Sequence, residues 1–129
     1  MIRVYTASKL GQAPMWRELA KTWPHVHFHA RWLKHNEVGT PDTAENAIRF
    51  WREDIEDVKT ADVVLVYAED GEHLRGALVE AGAAIAFGVP VVVVGSHPDF
   101  STWQFHAGVR RALDMHHAGE ILAEIDRST

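Results

Sequence analysis

Hydrophobic and polar residues follow two periods along the chain, one typical of strands and one of helices. β-prone runs occur at five places: 2–6, 25–29, 61–67, 89–95 and 109–113. The runs VVLVY and VPVVVVG, within the third and fourth, are apolar without interruption, as strands buried on both faces of a parallel sheet are. The second run alternates apolar residues with histidines, which predicts a strand with one polar face. The fifth is weaker and predicts an edge strand.

Apolar residues recur at helical spacing in four segments that follow the predicted strands: 14–23, 43–60, 74–88 and 116–125. Pro24 ends the first segment, and Asp42 or Thr43 is suited to cap the N-terminus of the second. Gly88 is suited to the C-terminal cap of the third. The stretch 34–42, with its glycine and proline, predicts a loop.

This alternation predicts an α/β fold: a three-layer, doubly wound, flavodoxin-like domain with a parallel five-stranded sheet and right-handed crossovers. A chain of 129 residues fits a single domain, 1–129. Ligands bind such sheets beyond the carboxyl ends of the strands. We therefore expect functional residues in the loops that follow four positions: Thr6, Trp32, Tyr67 and Gly95.

The composition narrows the class of protein and partner. A formal net charge of -5 disfavours nucleic acid and anionic membranes, which attract clustered Lys and Arg. The chain has no Cys, which excludes disulfides, thiolate metal sites and Cys nucleophiles. It shows neither a signal-peptide pattern at its N-terminus nor an apolar run long enough to span a bilayer. We therefore expect a cytoplasmic location and a small molecule or a protein as partner.

Glu80 departs most clearly from the hydrophobic pattern. It is the only charged residue in 77–87, a helical segment of small apolar residues that is suited to packing on the sheet. A carboxylate there needs a cleft or specific hydrogen bonds, and its place near the start of the helix favours the ionised form. Such a group suits a nucleophile. A Glu on the solvent face of the helix remains the alternative.

Asp54 is the second exception to the pattern. It lies on the apolar stripe of its helix, four residues from Phe50 and from Val58; the stripe is Ala47, Phe50, Trp51, Ile55 and Val58. A carboxylate on a core face needs a partner or a chemical purpose. The alternative is a boundary residue, solvated or paired with Arg52 or Lys59.

Weaker candidates lie at the ends of the predicted strands. The loop after the first strand offers Ser8 or Lys9 to a phosphate, although it lacks the spacing of a P-loop. Trp32, after the second strand, is placed to lie over a flat base. The histidines at 25, 27 and 29 share one strand face, which is more often solvated than a zinc site, so we predict no metal site.

Three features spread over most of the chain suggest a family. The first strand reads VYTAS; Asp54 precedes Asp62, at the start of a strand, by eight residues; and Glu80 is followed by AGAAIAFGVPV. In this combination the sequence resembles the nucleoside 2-deoxyribosyltransferases and the related deoxynucleoside 5'-monophosphate N-glycosidases. The spacing is more specific than any single motif.

The resemblance implies roles for particular residues. Glu80 would attack the anomeric carbon of a (deoxy)nucleoside or its 5'-monophosphate, Asp54 would assist proton transfer to the departing base, and Tyr5 would orient the nucleophile. We expect the helix dipole and Tyr5 to keep Glu80 ionised and burial to keep Asp54 protonated. The predicted substrate-binding set is Thr6, Ser8, Lys9, Trp32, Asp70, His73 and Gly76. The resemblance implies no cofactor. It does imply a homodimer or a larger homo-oligomer.

One position departs from the family pattern. Leu74 stands where the family commonly has an Asp before its Glu. Asp70, Glu72 or His73 would then replace that contact, or the protein has another substrate or no glycosidic activity. The alternative function is a non-catalytic module that binds or senses a nucleotide on the same fold. The base, the sugar and the choice between transferase and hydrolase stay open.

Overall fold

The computed structural model describes residues 1–34 and 43–128, in which strands and helices alternate. The strands are β1 Ile2–Ala7, β2 Val26–Phe28, β3 Val63–Val66, β4 Val91–Val94 and β5 Val109–Ala112. The helices are α1 Ala13–Thr22, α2 Ala44–Thr60, α3 Gly76–Phe87 and α4 Met115–Arg127. Short 3₁₀ turns lie at Leu10–Gln12, Arg31–Lys34, Pro98–Phe100 and Thr102–Phe105. Every predicted strand and helix is present, with boundaries shifted by one to a few residues.

The five strands form one parallel sheet in the order β2-β1-β3-β4-β5. Helices α2 and α3 pack against each other, and α3 lies on β1, β3 and β4; α1 contacts β2, and α4 contacts β4 and β5. Helices thus cover both faces of the sheet. This strand order confirms the predicted three-layer, flavodoxin-like α/β fold.

Residues at the helix ends explain where two helices begin and end. The Thr43 side chain accepts a hydrogen bond from the Asn46 backbone N–H at 3.1 Å, which caps α2 as predicted. The alternative cap, Asp42, lies outside the described residues, as does 35–41 of the predicted loop. Gly88 follows α3 with a φ of 75°, a backbone conformation that glycine adopts without strain, so the predicted C-cap is confirmed.

The sheet supplies most of the core, because β3 and β4 are buried along their whole length. The stripe predicted for α2 is only partly buried. Val58 is fully buried, but Trp51 is 38% exposed, so its assignment to the core is wrong. Asp57 takes a buried place on that helix instead. Within 1–34 and 43–128, no helix is long and apolar enough to cross a membrane.

Candidate active site

Three polar side chains meet on the face of the sheet that α2 and α3 cover. Tyr5 extends from β1 and donates its hydroxyl hydrogen bond to Oε2 of Glu80 on α3. The Glu80 carboxyl group is in turn hydrogen-bonded to that of Asp54 on α2. Tyr5 is fully buried, Glu80 is 6% exposed and Asp54 is half-buried. The three residues therefore form one hydrogen-bonded chain from the sheet to the outer helix.

The sequence of α3 explains why Glu80 is buried. Ala77, Ala81 and Ala84 form the buried face of the helix, and Glu80 lies on that face between them. Small side chains let the helix approach the sheet closely, so that the longer Glu80 reaches Tyr5. The alternative position on the solvent face of α3 is therefore wrong.

Burial dominates the electrostatics of this chain of residues. Desolvation raises the pKa of Glu80 to about 8; the Tyr5 hydrogen bond lowers it and the Asp54 carboxyl group raises it further. Desolvation also raises the pKa of Asp54 to about 6, helped by the negative charge of Asp57. The pKa of Tyr5 is raised by burial and by Glu80. Near neutral pH the two carboxyl groups therefore hold about one proton between them.

Burial acts against the expected distribution of that proton. We expected an ionised Glu80 and a protonated Asp54, but burial raises the pKa of Glu80 more. Glu80 is the fifth residue of α3, and the effect of the helix dipole fades beyond the first turn. The more exposed Asp54 is the easier of the two to ionise.

A second buried carboxylate lies one turn further along α2. Asp57 accepts hydrogen bonds from the Arg31 backbone N–H at 2.9 Å and from Arg31 Nε at 3.0 Å. The Arg31 guanidinium also approaches Glu56, with 3.1 Å between Nη2 and Oε1. Sequence reasoning missed this pair. The available signal was an arginine three residues after β2, opposite a carboxylate on the inner face of α2.

The predicted contacts near the end of β1 are largely occupied by the protein itself. The Ser8 hydroxyl accepts a hydrogen bond from Trp16 Nε1 at 2.9 Å and donates to the Lys9 carbonyl at 3.0 Å. Trp32 is buried, and its Nε1 donates to the Thr6 carbonyl at 2.9 Å. A stacking face on Trp32 is therefore covered. Thr6 is buried, and its hydroxyl has no hydrogen-bond partner among the described residues.

The loop between β3 and α3 holds the remaining predicted residues. Asp70 and His73 are exposed there, and Gly76 begins α3. Leu74 is buried, and its backbone N–H donates to Asp99 Oδ2 at 2.8 Å. A carboxylate thus reaches the position of Leu74 from the loop after β4, an approach that no pattern near Leu74 predicts. Asp70 and His73 as substrate contacts stay a prediction.

Within the two described ranges, no group of three side chains is arranged to hold a metal ion. His27 and His29 are neighbours on β2 and its end, with ring centroids 6.4 Å apart. His29 contacts the Thr60 hydroxyl at 2.7 Å between Nε2 and Oγ1. The polar face of the second strand is thus tied to the end of α2.

Comparisons with known proteins agree with this fold. No protein-family model matches the sequence, and no curated protein matches it. Among solved structures, the chain is similar to the CMP N-glycosidase BcmB of Clostridium botulinum, with a TM-score of 0.56 and 16% identity. The likeness covers 97% of this chain and 98% of that one. At this identity, it shows that the two proteins share a fold over nearly their whole lengths.

Proposed function

We propose that the protein cleaves or transfers the N-glycosidic bond of a (deoxy)nucleoside or its 5'-monophosphate through a covalent glycosyl-Glu80 intermediate. The observation that carries this proposal is the buried chain from Tyr5 through Glu80 to Asp54. Buried carboxyl groups with raised pKa values destabilise a fold, and such groups cluster at functional sites. The fold shared with a CMP N-glycosidase supports the same reaction class.

The reaction requires one ionised and one protonated carboxyl group. In the resting site the proton favours Glu80, and the hydrogen bond between the two groups lets it pass directly to Asp54. That transfer creates the carboxylate on Glu80 and the acid on Asp54 in a single step. The Tyr5 hydroxyl, which favours ionised Glu80, assists it.

The bond changes then follow the logic of a retaining glycosidase. A Glu80 oxygen forms a bond to C1' while the bond from C1' to the base nitrogen breaks, and the proton on Asp54 passes to the leaving base. Water or an acceptor base next attacks C1' as the bond to Glu80 breaks, and Asp54 takes the proton from the attacking group. Carboxyl groups close enough to share a hydrogen bond suit a retaining reaction. In an inverting enzyme the two carboxyl groups lie farther apart, because a water molecule must fit between one of them and the sugar.

Self-association is part of the proposal, since the resemblance implies a homo-oligomer. The outer side of α3 presents Val79, 54% exposed, and Phe87, 44% exposed, and the neighbouring α2 presents Ile48, 60% exposed. Apolar side chains in this number on one pair of helices suit a contact with a second copy. Light scattering coupled to gel filtration should give the mass of a dimer or larger assembly.

One observation favours the alternative, a nucleotide-binding module without turnover. The buried Leu74 side chain cannot replace the carboxylate that the family commonly has there. Without that contact a nucleotide would bind but would not be aligned for attack.

Chromatography of the purified protein with deoxynucleosides, ribonucleosides and their 5'-monophosphates tests both functions. Free base should appear with the wild type and not with Glu80→Ala. Glu18→Ala, which removes an exposed carboxylate on α1, is the matched control and should retain activity. Dependence on an added base would identify a transferase. Tight binding of intact nucleotide without base release would overturn the enzyme and support the module.

A further inference from the structure

Trp51 lies next to the carboxyl pair, on the side of the strand ends. Its six-membered ring contacts the backbone of Gly76, so closely that a Cβ on Gly76 would lie 3.1 Å from Cη2 and 3.4 Å from Cζ2. Since Gly76 has no side chain, the indole lies directly on the first residue of α3. Yet 38% of Trp51 remains exposed. An aromatic ring is thus held at one edge and open to solvent elsewhere.

Helix geometry relates this contact to the carboxyl pair. Trp51 precedes Asp54 by three residues on α2, and Gly76 precedes Glu80 by four on α3, spacings that place side chains on one helix face. At 1.5 Å per residue, the indole contact lies about 5 Å towards the N-termini of both helices. Helices that follow strands in a parallel sheet begin at the carboxyl edge of the sheet, where ligands bind. Trp51 therefore lies on the side of the carboxyl pair that faces the ligand-binding edge of the sheet.

We propose that Trp51 is the base-stacking wall of this site and determines its preference for substrates with a flat base. The inference rests on the proposed function, because the base must leave beside Asp54, one turn below Trp51 on the same helix. A half-exposed indole at this place offers an aromatic face to a base that approaches Asp54. The buried Trp32 offers no such face, so the stacking role predicted for it passes to Trp51.

Calorimetry with two ligands tests the wall directly. CMP contains a base and ribose 5-phosphate does not, so removal of the indole should weaken binding of CMP alone. In a Glu80→Gln background, which prevents turnover, Trp51→Ala should raise the Kd for CMP roughly 10-fold or more and leave that for ribose 5-phosphate unchanged. Trp51→Phe should restore most of the loss. Phe105→Ala removes an exposed aromatic from the turn before β5 and should change neither Kd.

Gly76→Ala provides a second variant that retains the indole. Its Cβ would push against Trp51, so in the same Glu80→Gln background it should weaken CMP binding when Trp51 is present and have no further effect beside Trp51→Ala. If Trp51→Ala weakens the binding of CMP and ribose 5-phosphate equally, or weakens neither, Trp51 does not stack on the base. Cleavage that survives Glu80→Gln would overturn the proposed chemistry while the ligand comparison still tests Trp51. If neither CMP, cytidine nor other nucleotides bind, both proposals fall.

Discussion

Helix α2 contributes to two carboxylate sites that differ in one component, a cation. Asp57, 4% exposed, is held by Arg31, whose Nη2 lies 2.9 Å from Oδ1. Asp54 lies one turn earlier and contacts Glu80, another carboxyl group. In the part of the chain that the structure describes, no Lys, Arg or His forms an ion pair with either Asp54 or Glu80. The first site neutralises its charge within the protein, whereas the second does so by holding a proton.

This difference separates a structural site from a chemical one. Arginine satisfies Asp57 with both charge and hydrogen bonds, so that carboxylate helps to fix α2 against the end of β2. The pair of Asp54 and Glu80 lacks such compensation, and burial raises both pKa values. A site that weakens the fold in this way is typical of residues kept for function. Substitutions at the two sites should therefore act on different properties.

The largest effect is expected on turnover when either Asp54 or Glu80 is replaced. Glu80→Gln should lower the rate of base release at least about 1000-fold, and Asp54→Asn at least about 100-fold, because one removes the nucleophile and the other the acid. Neither should lower the thermal midpoint at pH 8, since each amide replaces a poorly solvated carboxyl group. Release rates and calorimetric midpoints check both. Turnover within 10-fold of the wild type for either variant would remove that residue from the mechanism.

Stability against pH gives the next largest effect. The pKa of Glu80 is raised from 4.5 to about 8 on folding, so the native state binds its proton more tightly than the unfolded state. Its contribution to stability is fully present below pH 4.5 and is lost as pH rises through about 8. The free energy of unfolding, measured with urea, should fall by a few kcal/mol over this window. Glu80→Gln should flatten that part of the curve.

Asp62 provides a control for the direction in which stability changes with pH. Arg3 lowers the pKa of Asp62 by hydrogen bonding, so the contribution of Asp62 is lost only as pH falls below its ordinary value of 3.8. Asp62→Asn should therefore leave the change between pH 4.5 and 8 intact. A Glu80→Gln curve as steep as that of the wild type would contradict the raised pKa of Glu80.

At Asp57, which Arg31 binds, a substitution should affect stability more than turnover. Asp57→Asn should lower the free energy of unfolding by about 1.5–3 kcal/mol, because it removes the charge that Arg31 binds. The 40% exposure of the Arg31 side chain keeps the loss at the lower end of that range. Turnover of the folded variant should stay within a few-fold. Urea unfolding measures the stability of the variant, and base release measures its turnover. A variant that is as stable as the wild type but inactive would show that Asp57 takes part in the chemistry.

The sequence predicted the fold well because its strongest signals are local. The valine-rich runs before and after α3 indicate buried parallel strands, and Gly88 and Thr43 mark helix ends by their own backbone and side-chain chemistry. The isolation of Glu80 within an apolar helix was likewise visible without coordinates. Each of these features depends on neighbours within a few residues.

Features that depend on distant residues could not be predicted in the same way. Helical spacing places Trp51 and Asp57 near one apolar stripe, but packing of α2 on α3 decides which is buried. The partner of Asp57 lies 26 residues away, and that of the Leu74 N–H lies 25 residues away. The order of the two raised pKa values depends on the depth of each carboxyl group beneath the helices. Periodicity along one segment contains none of this information.

The smallest expected effect concerns the tyrosine that adjoins the pair without a cation. Tyr5→Phe removes the hydroxyl that donates to Glu80 and favours its ionised form, so the pKa of Glu80 should rise further. The form of the pair with its proton on Asp54 should then be rarer, so the rate at pH 7 should be roughly 10-fold lower, and the alkaline limb of the pH profile of kcat/KM should move to higher pH. Tyr67→Phe is the matched control, because its hydroxyl contacts the exposed Glu69, at 3.4 Å, and not the carboxyl pair. A lower rate with an unshifted profile would mean that Tyr5 packs against Glu80 without setting its charge, and the pair would then differ from Asp57 through burial alone.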